Sequence, residues 1–283
     1  MFPESIQKSN IFARARYRII LYFSLIIWLL PLAAAIMISI RSLADINSGN
    51  FYRWPKEFSL IENYTQIFTL TPMLQYFFNS VVITIPTVLV TLALSSLAGY
   101  ALAKHNFRGN FTIFALFIAG NFVPAQILMI PVRDLTLKFG IYDTKMALIL
   151  FHTAFQTGFC TFFLRGFIKE LPHELVESAR IDGASEFRIF WNIILPLVKP
   201  ALAALAVLEF TFIWNDYFWA LVLVQGDEAR PVTLGIQALQ GRWTSFWHLV
   251  SAGSIIAALP PVILFFLLQK HFITGLTLGA VKE

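Results

Sequence analysis

Hydrophobic positions in this chain do not alternate with polar ones; they run on in six long blocks. Residues 19–40, 74–103, 111–132, 146–164, 201–224 and 249–269 are almost wholly apolar, and all but the fifth lack Asp, Glu, Lys and Arg. An α-helix rises 1.5 Å per residue, so each block suffices to cross a hydrocarbon layer about 30 Å thick. Lipid offers the backbone no hydrogen-bonding partner, so segments of this kind must satisfy their own N–H and C=O groups as helices. The predicted fold is therefore all-α: a polytopic membrane protein with six transmembrane helices in one domain over residues 1–283. Pro31, Pro86, Pro124, Pro260 and Pro261 fall inside blocks and are expected as kinks, which membrane helices tolerate. The first block continues to Ile40, too long for the core of a cleaved signal peptide.

Composition agrees. Hydrophobic residues make up 58% of the chain and charged ones 13%, with mean hydropathy +0.71; a soluble domain carries roughly 25% charge. The net charge of +5 sits in short loops beside apolar blocks and does not point to nucleic acid. With the N-terminus inside, the inner segments hold Lys8, Arg14, Arg16, Arg18, Lys104, Arg108, Arg165, Lys169, Arg180, Arg188, Lys199, Lys270 and Lys282, 13 of the 21 basic residues. The outer segments hold Arg41, Arg53, Lys56, Arg133, Lys138, Lys145, Arg230 and Arg242. This bias predicts that both termini are cytoplasmic, and Trp243 and Trp247 suit an outer interfacial belt. The one cysteine, Cys160, can form no intrachain disulfide.

Of the loops, 41–73, 165–199 and 225–247 are the longest. The inner one contains LPHELVESARIDGASEFRIFWNIILP, residues 171–196, which reads as two short helices and a turn. Pro172 suits a first helical position, and Glu174 and Glu177 favour the positive end of the helix dipole. Gly183 supplies the left-handed turn after Asp182. Phe187, Phe190, Trp191 and Ile194 fall at i, i+3, i+4 and i+7, one apolar stripe, and Pro196 closes the second helix ahead of the fifth block. Such a pair either folds back on its own membrane ends or packs against a partner.

The spacing of Glu177-Ser178-Ala179, Gly183, Ile193 and Leu195-Pro196 resembles the EAA signature of bacterial ABC importer permeases, with Ser178 where alanine is usual. Ser59-Leu60-Ile61-Glu62-Asn63-Tyr64, Leu97-Ala98-Gly99-Tyr100-Ala101, Trp214-Asn215-Asp216-Tyr217 and the tail from Gly275 to Lys282 are similar to the carbohydrate branch, in particular to second permease subunits of maltose-type importers. The resemblance implies a type I importer permease fold in a bacterial inner membrane, with residues 165–199 as the cytoplasmic coupling loop. It implies that this loop seats in a cleft of an ATPase subunit, with Glu177 meeting polar groups there, Gly183 allowing close backbone approach, and Phe187 and Phe190 packing at the contact. It further implies a second permease chain, two ATPase subunits that bind the ATP and magnesium, an external solute-binding protein, and a carbohydrate substrate. The tail, residues 279–283, would reach between the ATPase subunits. Gln237, Gln240 and Arg242, in the loop before the last span, would touch the binding protein.

An ionised carboxylate at the centre of a membrane helix costs roughly 2.5–3.5 kcal/mol, so Glu209 and Asp216 should face protein or water rather than lipid. Seven residues apart, they are expected to share a helical face. Each either lines a translocation pathway, with Asn215 beside Asp216, or makes an interhelical hydrogen bond. Asn79, Asn121, Gln126, His152 and Gln156 are weaker pathway candidates. No G-x-x-x-x-G-K-[ST] occurs and no H-E-x-x-H, so the chain offers neither a phosphate cradle nor a zinc protease site. No cofactor and no catalytic or metal-binding residue is expected in this chain itself. A self-sufficient proton-coupled carrier using Glu209, or a membrane enzyme, are the alternatives.

Overall fold

The computed structural model describes residues 11–49, 53–240 and 246–280, with side chains through Gln269. Arg242, Trp243 and the residues after Ala280 lie outside that set. The helices are α1 (Ile11–Ser39), α2 (Leu43–Asn47), α3 (Leu60–Leu70), α4 (Met73–Lys104), α5 (Asn110–Asn121), α6 (Met129–Lys138), α7 (Lys145–Glu170), α8 (His173–Ile181), α9 (Glu186–Ile189), α10 (Lys199–Trp214), α11 (Phe218–Leu223), α12 (Val232–Gln237) and α13 (Trp247–Ala280). Among the described residues there is no strand; one isolated antiparallel bridge joins Arg41 to Phe58.

Four helices, α1, α4, α7 and α13, are each long and apolar enough to cross a membrane unaided. The other two expected spans are broken. The third bends by 92° between Asn110–Asn121 and Ala125–Lys138. Pro124 was expected as a tolerated kink; instead it ends the helix, because it donates no N–H and its ring disfavours helical backbone at the residue before it. The fifth expected span, 201–224, stops at Trp214 and restarts at Phe218. Both carboxylate oxygens of Asp216 accept backbone N–H bonds from the restarted helix, from Trp219 at 3.2 Å and Ala220 at 3.0 Å, so this side chain caps α11 and competes with continuation of α10. The fourth helix runs on to Glu170 rather than ending at Leu164, which leaves Arg165 and Lys169 helical. With Asn110–Asn121 and Ala125–Lys138 counted as one span, and Glu186–Leu197 with Lys199–Trp214, bent by 73°, as another, the total reaches six.

The described residues fall into two compact units. One holds those up to Leu70 and those from Leu239 to Ile256; the other holds those from Thr71 to Ala238 and those from Ala257 on. In the second unit α4 and α7 pack along their length through small residues. A Cβ on Gly99 would come 3.2 Å from the Arg165 nitrogen, and Ser95 Oγ donates to the Thr157 carbonyl at 3.2 Å. Close approach of this kind is how helices associate where no hydrophobic force drives them together. The matching register of Ser95 with Thr157 and Gly99 with Arg165 makes the two helices parallel.

On its other side α7 meets α5. A Cβ on Gly158 would sit 2.9 Å from the Phe117 carbonyl oxygen, a backbone atom that cannot move aside, whereas one on Gly166 would meet nothing. Gly158→Ala is therefore expected to destabilise the protein by about 1–3 kcal/mol, while Gly166→Ala leaves it unchanged or slightly more stable. Thermal unfolding of the two purified variants in detergent checks this; equal midpoints would contradict it.

Candidate coupling elbow and membrane polar groups

The segment from His173 to Leu197 forms an elbow. Helix α8 ends in Asp182, and Gly183 follows with φ of +78°. The Gly183 N–H bonds the Arg180 carbonyl and the Ala184 N–H bonds the Ala179 carbonyl, both at 3.0 Å. This pair of reversed bonds is a Schellman cap, and it needs a left-handed residue at the glycine position. Ser185 then opens α9, its Oγ accepting the Arg188 N–H. Helix α9 continues through a π-helical turn, Phe190–Ile194, into Leu195–Leu197.

The expected apolar stripe is split. Phe190 and Ile194 are buried, whereas Phe187 is 68% and Trp191 51% exposed. The π turn inserts an extra residue per turn, so the spacing that aligns four residues on a regular helix no longer does so. Pro196 sits inside the helical run rather than ending it; the chain bends by 73° at Val198, just ahead of Pro200 at the start of α10, a position where proline is at home. Pro172 stands at the cap of α8 rather than in its first turn.

Val176, Ala179, Ile189, Phe190, Ile194 and Val198 join Tyr100 of α4, Cys160, Leu164 and Ile168 of α7, and Ala201 and Leu205 of α10 in one apolar core. That core fastens the elbow to the ends of three helices. On the opposite side Glu177 and Ser178 are exposed, with Ile181 at 86%. An isoleucine and a phenylalanine thus stand open beside carboxylates, at a turn of fixed geometry.

Polar contacts add direction to the apolar ones. Glu186 Oε1 accepts from Arg180 Nε at 2.6 Å, and Oε2 accepts from the Tyr100 hydroxyl at 2.7 Å with His105 Nε2 at 3.3 Å. The Arg180 hydrogen bond holds the Glu186 carboxyl below the usual carboxylate range, and Glu186 in turn raises Arg180. Lys104 Nζ donates to the Leu171 carbonyl. Nothing in the sequence distinguishes Glu186 from the neighbouring surface charges; its role rests on a partner 86 positions away.

Within the membrane helices the carboxylates separate. Glu209 is 2% exposed and accepts from Cys160 Sγ at 3.2 Å, an α10–α7 contact; its Oε2 is buried without a protein partner. Because α10 ends at Trp214, Asp216 does not share a helical face with Glu209, contrary to the seven-residue spacing. Asp216 pairs with His152 Nε2 at 3.4 Å. Together with Thr211, Phe212, Asn215, Tyr217, Phe218 and Phe265 it lines a cavity of about 650 Å³. The Tyr217 hydroxyl donates to Gln237 Oε1.

The remaining candidates scatter. Asn79 is buried and donates to the Asp227 and Arg230 carbonyls at 3.2 and 2.9 Å. Gln156 is buried on α7, Gln126 is exposed in the short 3-10 turn after Pro124, and Asn121 donates to the Phe117 carbonyl one turn back. Gln237 and Gln240 are exposed. No group of three or more potential metal ligands exists among the described residues.

Apolar helices long enough to cross a membrane, with broken third and fifth members and an elbow between the fourth and fifth, make this a polytopic membrane protein. The chain belongs to the family of binding-protein-dependent transport system inner membrane components, whose model matches residues 94–277. It is 36% identical over 229 residues to the arabinooligosaccharides transport system permease protein AraQ of Bacillus subtilis, covering 81% of this chain and 80% of that one. It is 34% identical over 254 residues to the melibiose/raffinose/stachyose import permease protein MelC of the same organism, covering 89% and 91%. Among solved structures, a chain of a bacterial ABC transporter that imports the acidic polysaccharide alginate superimposes with a TM-score of 0.79 at 22% identity, over 96% of this chain and 99% of that one. This last likeness is one of fold.

Proposed function

We propose that the chain forms half of the pore of an ATP-driven importer for a sugar or oligosaccharide. A second permease chain supplies the other half, two separate ATPase subunits the energy, and an external binding protein the solute. The observation that carries this reading is the elbow: a turn set by Gly183 that presents Glu177, Ser178, Ile181 and Phe187 outward while its other face is locked into the helix ends. Such a part transmits force only if something seats on the open face. Relatives named for transport of arabinooligosaccharides, of melibiose, raffinose and stachyose, and of alpha-glucosides support a carbohydrate cargo. The α10–α11 break supports a place for it: aromatic rings of Phe212, Tyr217 and Phe218 beside the Asn215 amide and the Asp216 carboxylate. Sugars are held in this way, with apolar faces on rings and hydroxyls on a few oriented polar groups.

In operation, closure of the ATPase subunits on ATP moves the elbows, the helices they are packed on follow, and the pore opens outward; hydrolysis resets the inward state. A shift from 1:99 to 99:1 between two such states needs about 5.5 kcal/mol of differential binding, within reach of nucleotide and loaded binding protein acting together. Both termini face the cytoplasm in this arrangement, and the elbow with them. Two measurements test it. A cysteine at Ile181 of the otherwise intact complex should crosslink to the nucleotide-hydrolysing subunit. Proteoliposomes should take up a panel of labelled oligosaccharides only when the complete complex and ATP are present. Uptake by this chain alone under a proton gradient would reverse the conclusion in favour of a self-sufficient carrier.

A further inference from the structure

Helix α4 is clamped at both ends to segments outside the helix bundle. At one end, as described, Tyr100 and Lys104 hold the elbow through Glu186 and the Leu171 carbonyl. At the other, 20 to 28 positions earlier, three residues one turn apart grip the segment that precedes the last helix. The Tyr76 hydroxyl donates to Asp227 Oδ1 at 2.7 Å, Asn79 Nδ2 donates to the Asp227 and Arg230 carbonyls, and Ser80 Oγ accepts the Val232 N–H at 2.8 Å. Tyr76, Asn79 and Ser80 are all at least 98% buried. Arg230 adds an ion pair to Asp227 at 2.7 Å and lies over the Tyr76 ring. Between the clamps α4 is one continuous helix that runs through Pro86, rising about 1.5 Å per residue, and it packs closely on α7 at Gly99.

We propose that α4 is a strut that carries the position of the elbow to residues 225–237, with Glu186 and Tyr100 as the positioning residues at its elbow end. The inference rests on the elbow being the ATPase contact and adds to it a route. The apolar core already holds the elbow on the bundle, so the Glu186 cluster is not needed to keep it there. Half-exposed ion pairs contribute little stability. What this carboxylate adds is geometry: it ties α8 through Arg180, α9 by its own backbone, and α4 through Tyr100, so that the three turn together. Apolar burial is non-directional, and these hydrogen bonds add the directional part of the join. The far clamp then converts displacement of α4 into displacement of the loop before the last helix, because Asn79 holds two backbone carbonyls of that loop at once.

Hydrogen exchange in the complete complex, reconstituted in nanodiscs with and without MgATP and vanadate, tests the strut without knowledge of the solute. In the unmodified complex nucleotide should change exchange both in the elbow and in residues 225–237. Tyr100→Phe removes one hydroxyl and leaves the buried ring in place. It should retain the change in the elbow and lose at least half of the change at 225–237, and Glu186→Ala should do the same. Glu186→Gln, which keeps one acceptor oxygen for the tyrosine but loses the one that Arg180 uses, should restore part of it. A response at 225–237 that survives both Tyr100→Phe and Glu186→Ala overturns the strut. Failure of either variant to assemble with the ATPase also overturns it, since the cluster would then be holding the elbow in place. Absence of any nucleotide response in the unmodified elbow would instead overturn the coupling reading beneath it.

Discussion

Gly183→Val is expected to lower binding-protein-stimulated ATP hydrolysis by the assembled complex at least tenfold, with the chain present in the membrane at its normal level. The reason is local. The glycine has φ of +78°, and a β-branched residue is a genuine outlier there, at a cost of about 1–2 kcal/mol or more. The strain is relieved by rotating the turn out of the left-handed region, which breaks the two reversed bonds from Gly183 and Ala184 and changes the angle between α8 and α9. Among the described residues nothing crowds the position, since a Cβ there would meet no atom within 4 Å. Gly183→Asn separates the two demands on this residue. Asparagine tolerates the left-handed conformation but adds bulk on the open face. If backbone angle is what matters, Asn restores most of the stimulation that Val removes; if clearance for a partner matters, Asn is as damaging as Val. Normal stimulation in the Val variant would show that the turn is not part of the transmission.

Three expected spans map onto one helix each, α1, α4 and α13, although α1 starts at Ile11 rather than residue 19 and α13 continues to Ala280 rather than residue 269; the left-handed turn at Gly183 was legible because only one residue type fills it cheaply. The breaks were not. A stretch of some twenty residues is judged by its average, and Asn215-Asp216 barely lowers the average of its block. Yet a single carboxylate that can accept two backbone N–H bonds is enough to start a new helix, and Asn-Asp ahead of an apolar run carried that signal. Pro124 carried a similar one and was outweighed by the length of the block around it. The polar contacts were illegible for a different reason. Cys160 with Glu209, His152 with Asp216, and Tyr100 with Glu186 join residues tens of positions apart. Such pairs depend on which helices neighbour one another, and hydropathy says nothing of that. Arg41 shows the same gap. By position it counted as an outer-loop charge; in the fold it is fully buried.

That burial makes Asp45→Ala the substitution expected to cost the most stability. Arg41 Nη1 donates to Asp45 Oδ2 at 2.8 Å, and Nη2 donates to the Arg53 carbonyl. The same carboxylate oxygen accepts the Lys56 N–H at 3.4 Å. Around this pair Asn63 Nδ2 bonds the Ser39 and Arg41 carbonyls, both at 2.8 Å, and the Ser59 N–H bonds the Ile40 carbonyl. One ion pair thus sits at the point where the end of α1 meets the strand-like turn at Phe58 and the first turn of α3. Removing only the carboxylate breaks this buried ion pair while the guanidinium charge stays enclosed, a loss of about 3–5 kcal/mol. Replacing both members with apolar residues of similar volume, Arg41→Met with Asp45→Leu, removes the charge together with its need for a partner and is expected to recover most of that loss. Thermal unfolding and limited proteolysis of the single and double variants in detergent provide the cycle, with cleavage between residues 41 and 70 as the local readout. A large non-additive term is the expected result. If the double variant is as unstable and as readily cleaved as Asp45→Ala, the pair is held by its surroundings rather than by its charge.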